Sequence, residues 1–472
     1  MNRIIKRSFL ALSLFLIVIQ LFGAPKARDG ILDLRNWDGK GIITLDGEWK
    51  FYWQVFISDT ILTNGNEIKS PLIVDVPSYW SEYFIDTEAL PGKGYGSYSL
   101  SILLPTTILE DDLALDIPIF DDSYVLFLND ERVARNGKVG INSDQAEPGY
   151  KPKIYIFHPD SEKIELIIHV SNYKHRRGGF WKSIRMGGSE RLIHQKKIYD
   201  IIVHITIGFI LSFFLFFLAF FIFYPKNKSA LYFSLFSFGL LLRILSTDTF
   251  AIQIFSNPPW EWIIRLEYLG TYIAFVFGSW YFLNIYPGKN IKIIVKLNTV
   301  VIGLICLFVI VLEPAYFAFT MFYFQPVILL FFTYYLIISF VHIFKRNEAD
   351  EFYFAALLIF LIALVNDIRV SASAPGIFND YTIHFALQVF IFTHVLLMIR
   401  SWVKAYKELG KLNFEIEYLN LNLEERIKKR TEESNADKKE IQKQHEEISL
   451  KNEELRSRIE FSSKIQSIMA HD

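Results

Sequence analysis

The sequence has little cysteine and little charge, and each shortage excludes a class of protein. Cys306 is the single cysteine in 472 residues, which excludes an intramolecular disulfide and a cysteine-based zinc site or redox pair. Charged residues make up 21% of the chain, against about 25% in soluble domains, and the mean hydropathy is +0.26. The formal net charge of −1 offers no whole-chain argument for binding nucleic acid. The composition favours a membrane protein with water-exposed parts at both ends.

The sequence also lacks any recognisable means of binding ATP. It contains neither a Gly-x-x-x-x-Gly-Lys-Ser/Thr string nor a glycine-rich nucleotide-binding domain. We therefore expect no cofactor in this chain, and ATP only if a kinase domain exists outside it. The absence of lysine from 381–400 argues against a retinal Schiff base.

The N-terminus has the order of a secretion signal. Cationic residues between 3 and 7 precede an apolar run over 9–22, and small residues follow. This order predicts a signal peptide over 1–27, or an uncleaved anchor because Pro25 follows Ala24. Either outcome places residue 30 onward outside the cytoplasm.

Residues 30–192 alternate short apolar runs with polar turns, which predicts an all-β jelly roll or sandwich. The predicted strands are 42–45, 49–56, 98–104, 113–117, 124–128, 154–157 and 164–170.

Residues 201–400 contain seven apolar stretches, most of them about 20 residues long, as a helix that crosses a bilayer requires. They lie at about 201–224, 229–248, 264–286, 294–312, 317–342, 352–370 and 381–400. Lysine and arginine concentrate in the loops opposite the predicted outer domain, at 226–228, 289–292, 345–346 and 400–404. The positive-inside rule therefore predicts an outer N-terminal domain and a cytoplasmic C-terminus in an inner membrane.

Residues 401–472 carry 14 Lys+Arg and 15 Asp+Glu, with no proline. Apolar residues recur on seven-residue tracks through Leu409, Leu412, Ile416, Leu419 and Leu423. This pattern predicts a cytoplasmic coiled coil over 401–460 that makes a homodimer, with a break in the heptads after 423.

These sections together resemble the bacterial seven-transmembrane receptors with diverse intracellular signalling modules, the 7TMR-DISM proteins. The outer part is similar to that family's jelly-roll domain at 45–53, 76–80, 94–98, 126–130 and 172–181. The membrane part is similar to its seven-span domain at 265–268 and 366–367. The resemblance implies a signal-transduction receptor of two-component type.

The last residues, 461–472, resemble the start of the phosphoacceptor helix of a histidine kinase. The resemblance implies that His471 is the phosphoacceptor and that Asp472 is the acidic neighbour that accepts its proton. The sequence ends within this string, so we expect either the sensor part of a kinase or a receptor that signals through a separate kinase or response regulator.

The outer domain has one loop that suits a ligand such as a carbohydrate or another small polar molecule. Asn172, His175, Arg176 and Arg177 would supply hydrogen bonds beside two glycines, and Trp181 a stacking face. The same loop immediately precedes the first span, so contact with the membrane surface or the outer helix ends is the alternative. Trp49 and Trp53 are expected to fill the sandwich core.

Ionisable residues near the outer ends of the spans have two interpretations, snorkelling to the interface or pairing in a pocket. They are Arg243, Asp248, Glu267, Asp367 and Arg369. In the last span, His384 and Gln388 share a face and could make interhelical hydrogen bonds.

We interpret the sequence as a transmembrane receptor that relays an outer signal through seven helices to a dimeric coiled coil. The alternatives are a transporter or membrane enzyme with an outer binding domain, and a non-functional truncated kinase product. A transporter is disfavoured because Pro326 is the one proline well inside a span.

Overall fold

The computed structural model describes residues 25–57, 70–120, 122–247, 249–343, 348–371 and 382–469. Residues 1–24 of the predicted signal peptide lie outside the described residues, as do His471 and Asp472. The chain divides into two compact units, 1–393 and 394–472.

The N-terminal part is an all-β sandwich, as predicted. Its strands are β1 (Ile31–Asp33), β2 (Ile43–Thr44), β3 (Gly47–Trp53), β4 (Leu72–Val76), β5 (Phe84–Ile85), β6 (Glu88–Ala89), β7 (Gly94–Leu103), β8 (Leu113–Ile117), β9 (Ser123–Leu128), β10 (Glu131–Asn136), β11 (Lys153–Phe157), β12 (Lys163–Asn172) and β13 (Arg185–Gly188). One sheet has the order β10-β9-β12-β7-β3-β4, with β1 parallel to β7, and the second has the order β11-β8-β13-β2. The strands β5 and β6 form a separate hairpin.

Alternation along the strands builds the core between the two sheets. Ile164, Leu166, Ile168 and Val170 of β12 are at most 1% exposed and join one core cluster with residues of the second sheet. Trp49 is fully buried there, which confirms its expected place in the core, and Trp53 packs at its edge.

Long helices occupy all seven predicted apolar stretches. They are α1 (Ser189–Phe223), α2 (Lys228–Ser246), α3 (Trp260–Ile285), α4 (Lys289–Val311), α5 (Phe319–Ile343), α6 (Glu348–Ser371) and α7 (Ile383–Met469), with a short helix Pro314–Phe317 before α5. The first begins at Ser189, four residues inside the predicted sandwich boundary at 192, because β13 leads directly into it.

Six of these helices, all except α3, are long and apolar enough to cross a membrane by length and composition. Their outward faces fit that role: Leu297, Val300, Leu304 and Leu307 form a stripe along α4 and are each more than half exposed. A soluble protein rarely exposes so continuous an apolar surface. The fold is therefore a β-sandwich followed by a helical membrane domain.

Helices α2 and α3 are in close backbone contact. A β-carbon added at Gly239 would lie 2.4 Å from Ala274 N and 2.7 Å from Gly270 O, so the two backbones touch at the glycines. Arg243, one turn further along α2, donates to Thr271 Oγ1 at 2.5 Å.

Candidate functional site

The sandwich and the helices meet at a junction built from three connections. The first is covalent: β13 pairs with β8 through Arg185–Gly188, and α1 begins at the next residue. Ser189 N donates to Asp112 O at 2.9 Å, and Arg191 donates to Lys40 O, so the first turn of α1 is held by sandwich loops. Any shift of the second sheet therefore acts directly on the start of α1.

The second connection is the loop 137–152 between β10 and β11. Its neck is closed by Asn136, a fully buried residue whose Nδ2 donates to Asp122 O and Gly149 O, both at 2.9 Å. Asn136 Oδ1 accepts from Lys151 N at 2.8 Å. The neck holds the end of the loop in place, next to Tyr150.

Tyr150 joins this loop to the connection between α2 and α3. Its hydroxyl donates to Pro258 O, and its ring stacks on Phe250 with centroids 5.8 Å apart. Gln253 Nε2 donates to Tyr150 O at 3.0 Å. Phe250 has a left-handed backbone with φ of 48°, which is uncommon for a bulky residue and often marks functional segments.

The third connection is the loop 173–181, which contains most of the predicted ligand residues. Lys174 Nζ lies 3.4 Å from Glu261 Oε1 in the first turn of α3. The Arg176 guanidinium lies over Phe319 at 4.6 Å and over Phe322 at 6.0 Å, at the start of α5. Burial of the guanidinium, together with repulsion from the adjacent charge of Arg177, lowers the pKa of Arg176 from its ordinary value. The loop thus contacts two helix ends through charge and through cation–π interactions.

The neighbouring residues of this loop are also engaged. The His175 ring lies edge-on to Trp260 of α3, with centroids 6.5 Å apart, and its Nδ1 is 3.0 Å from Arg177 O. The Arg177 guanidinium lies 4.9 Å from the centroid of Tyr79 in the sandwich. His175 and Arg176 therefore contact helix ends, as the alternative interpretation of this loop expects, whereas Arg177 contacts the sandwich.

Asn172 precedes the loop, Trp181 is its last residue, and both are buried. Asn172 Nδ2 donates to Gly92 O at 2.8 Å and to His175 O at 3.0 Å, and Asn172 Oδ1 accepts from His175 N. Trp181 is 7% exposed and donates through Nε1 to Phe120 O at 2.7 Å. Both shape the loop from inside the sandwich, and a ligand role for the five residues remains a prediction.

Polar residues of the helical domain form hydrogen bonds with other residues of that domain. Arg265 is 9% exposed and donates to Val309 O and, at 3.0 Å, to Ile310 O, so it caps the C-terminal end of α4. Gln388 donates to Thr206 Oγ1 of α1, which confirms the predicted interhelical bond. The side chain of His384 and all of Asp248 lie outside the described residues.

Asp367 of α6 binds the N-terminal end of α7. Its carboxylate accepts from Thr382 N at 2.8 Å and from Ile383 N at 3.2 Å, as a capping residue does at a helix start. Its placement favours the pairing interpretation over snorkelling for this residue. The start of α7 is therefore tied to the preceding helix.

In the second unit, the residues of α7 from 403 to 467 are all exposed. The predicted seam residues Leu409, Leu412, Leu419 and Leu423 are 52–54% exposed. Within one chain, this apolar track has nothing packed on it among the described residues.

No sequence pattern identifies Asn136, Tyr150 or Lys174, because a single polar or aromatic residue in a turn belongs to no repeat or motif. The length of the β10–β11 loop is the feature that could have indicated its importance. Its 16 residues exceed an ordinary hairpin connection, and long ordered loops are frequently functional.

The chain is similar to a protein family and to a number of solved structures. Residues 199–400 match the 7TMR-DISM_7TM family, described as 7TM diverse intracellular signalling. No curated protein matches the chain. Among solved structures, a β-glucuronidase from an uncultured Clostridium sp. is 16% identical over 31% of this chain and 28% of that chain, with a TM-score of 0.25. A Ruminococcus gnavus β-glucuronidase is 15% identical over the same shares, with a TM-score of 0.24.

Proposed function

We propose that this chain is a transmembrane sensory receptor, since residues 199–400 match the 7TMR-DISM_7TM family. On that premise, it spans a bacterial inner membrane with the sandwich outside. The sandwich senses a small polar ligand, such as a carbohydrate, and the helices relay the signal to a dimeric coiled coil. The output is of histidine-kinase type, with His471 as the phosphoacceptor or with a downstream kinase or response regulator as the partner.

Charge distribution supports this orientation. The sandwich contacts the α2–α3 connection and the beginnings of α1, α3 and α5. At the other ends of these helices, Lys226 lies in the α1–α2 connection, Lys228 begins α2, and Lys289 and Lys292 lie in the first turn of α4. Cationic loops are retained on the cytoplasmic side, so the sandwich lies outside.

The observation that carries the proposal is the junction. The sandwich touches the ends of three helices through the β13–α1 continuity, the Tyr150 contacts and the Lys174–Arg176 contacts. Two of these connections are polar or cation–π contacts, which are more easily exchanged than a large apolar interface. A ligand that binds one arrangement of the sandwich more tightly raises the population of the helix-end positions that go with it. The size of this shift is set by the difference in the ligand's affinity for the two arrangements.

The exposed seam of α7 supports a second copy as its partner. The apolar track is narrow and follows a seven-residue repeat through Leu423, which fits a two-stranded coiled coil better than packing on a globular surface. The break after Leu423 gives the seam two packings of similar energy, a suitable element for a switch.

Disulfide cross-linking tests the dimer directly, because Cys306 is the only cysteine to remove. In full-length Cys306→Ala protein in membranes, Leu419→Cys should cross-link between two copies on mild oxidation. Leu421→Cys is the matched control, since Leu421 is similarly exposed, at 61% against 52%, but lies on the opposite side of the heptad.

Equal cross-linking at both positions, or none at Leu419, would refute the dimeric seam. In the same protein, changes at Leu419, Leu423 and Ile427 should alter the basal output and leave ligand binding unchanged, because the seam lies outside the sensor domain.

A further inference from the structure

A cleft of about 360 Å³ opens beside the junction, and its lining includes Phe250 and Gln253 of the Tyr150 contacts. Three of its side chains, Lys196, Asp200 and His204, follow one another at four-residue spacing on one face of α1. The rest of the lining comes from the sandwich and from the α2–α3 connection: Pro152, Thr249, Phe250, Ala251, Gln253 and Ile254. Its volume falls within the range of small-molecule sites, roughly 300–1,000 Å³.

The polar atoms of the cleft include two buried acceptors. Asp200 Oδ1 and Thr249 Oγ1 are buried and make no hydrogen bond within the described part of the chain. Lys196 Nζ lies 3.5 Å from Asp200 Oδ1, a loose ion pair. Buried polar atoms that make no hydrogen bond are uncommon in folded proteins. The Asp200 carboxylate and the Thr249 hydroxyl can therefore accept hydrogen bonds from a ligand, and the adjacent Lys196 ammonium can bind an anionic group.

The surroundings place this cleft at the edge of the apolar layer. On α1 the charged residues end at Asp200, and Ile201 and Ile205 that follow are 57% and 61% exposed. Next to the cleft on the α2–α3 connection, Ile254 and Phe255 are 68% and 78% exposed. Exposed apolar side chains on both walls fit acyl chains, so the cleft lies at the depth of lipid headgroups.

We propose that the cleft binds the ethanolamine phosphate headgroup, with its ammonium donating to Asp200 Oδ1 and Thr249 Oγ1 and its phosphate against Lys196. The inference rests on the proposed insertion of α1 as a membrane span. The headgroup could come from phosphatidylethanolamine or from soluble glycerophosphoethanolamine. Phosphocholine provides a matched comparison, because its trimethylammonium carries no N–H and cannot donate to either acceptor.

The test is native mass spectrometry of the full chain equilibrated with equal amounts of phosphatidylethanolamine and phosphatidylcholine. Because the distinguishing contacts are charge-assisted hydrogen bonds, wild type should retain the ethanolamine lipid about tenfold in preference. Asp200→Asn should remove most of this preference and Lys196→Gln should reduce it. Lys197→Gln, an exposed neighbour outside the cleft, should retain it.

Equal retention of the two lipids by wild type would overturn the proposal, as would a preference unchanged in both cleft variants. Calorimetry with glycerophosphoethanolamine, on protein in phosphatidylcholine nanodiscs, separates the two sources. If glycerophosphoethanolamine binds and Asp200→Asn abolishes this binding, the soluble compound is the ligand. If glycerophosphoethanolamine does not bind although the protein prefers phosphatidylethanolamine, the lipid is the ligand. Neither assay uses a signalling output, so failure here and failure of the receptor proposal give different results.

Discussion

The contact between α2 and α3 makes a sharp prediction at Gly239. An alanine β-carbon there would lie 2.4 Å from Ala274 N, 2.7 Å from Gly270 O and 2.9 Å from Ala274 Cα. Non-bonded carbon contacts are most favourable at about 3.5–4.0 Å, so Gly239→Ala must separate the helices by about 1 Å. The obstructing atoms are backbone, which cannot rotate away as a side chain does.

The expected cost follows from overpacking, about 1–3 kcal/mol for an added methyl that forces backbone shifts. Gly303→Ala is the matched control, because Gly303 lies inside α4 and has no heavy atom within 4 Å of the added carbon. There the substitution should be neutral or stabilising by up to about 1 kcal/mol, from the helix preference of alanine.

Thermal unfolding of the full chain in detergent measures both variants. Gly239→Ala should lower the Tm by several degrees, at about 2–4 °C per kcal/mol for a domain of this size, and Gly303→Ala should not lower it. A Gly239→Ala protein that melts at or above the wild-type temperature would refute the close contact between the helices.

Two further predictions concern single titratable groups. Burial against Phe56 and Phe127 lowers the pKa of His169, whose Nε2 lies 2.6 Å from Ile57 O, so the unfolded chain binds the proton first. Stability should therefore fall as the pH drops below about 6.5, and His169→Gln should flatten this slope in melts at pH 7.5 and 5.5; equal slopes would contradict the assignment. Asp367→Asn removes the charge at the start of α7 and should cost about 0.3–1 kcal/mol in the same assay, with an unchanged Tm as the contrary result.

The fold could be predicted from the sequence where alternation and length carry the information. Of the predicted strands, 113–117 coincides with β8, and 164–170 lies inside β12. Two of the missed strands do not alternate, because β10 contains charged residues and β13 is half glycine. The apolar stretches became helices because a run of about 20 apolar residues satisfies its backbone most simply as a helix.

The junction could be predicted only in part. The loop 172–181 stood out because basic residues cluster beside two glycines, and proximity to the first span suggested helix contacts. The partners at Glu261, Trp260 and Phe319 lie more than 80 residues away along the chain, and no local pattern connects them. The burial of Trp181 could not be predicted either, because the sequence does not distinguish a tryptophan in a core from one on a binding surface.

The central claim is that contacts between the sandwich and the helix ends control the dimeric seam. The most direct measurement is the rate of Leu419→Cys cross-linking in full-length Cys306→Ala protein, with Tyr150→Ala added. Tyr150→Ala removes the contacts with Pro258 and Phe250. Tyr155→Ala is the control, because the Tyr155 ring stacks on Phe157 within β11 and lies outside the junction loops. The rate should change with Tyr150→Ala and stay unchanged with Tyr155→Ala. Identical rates in all three proteins would contradict it.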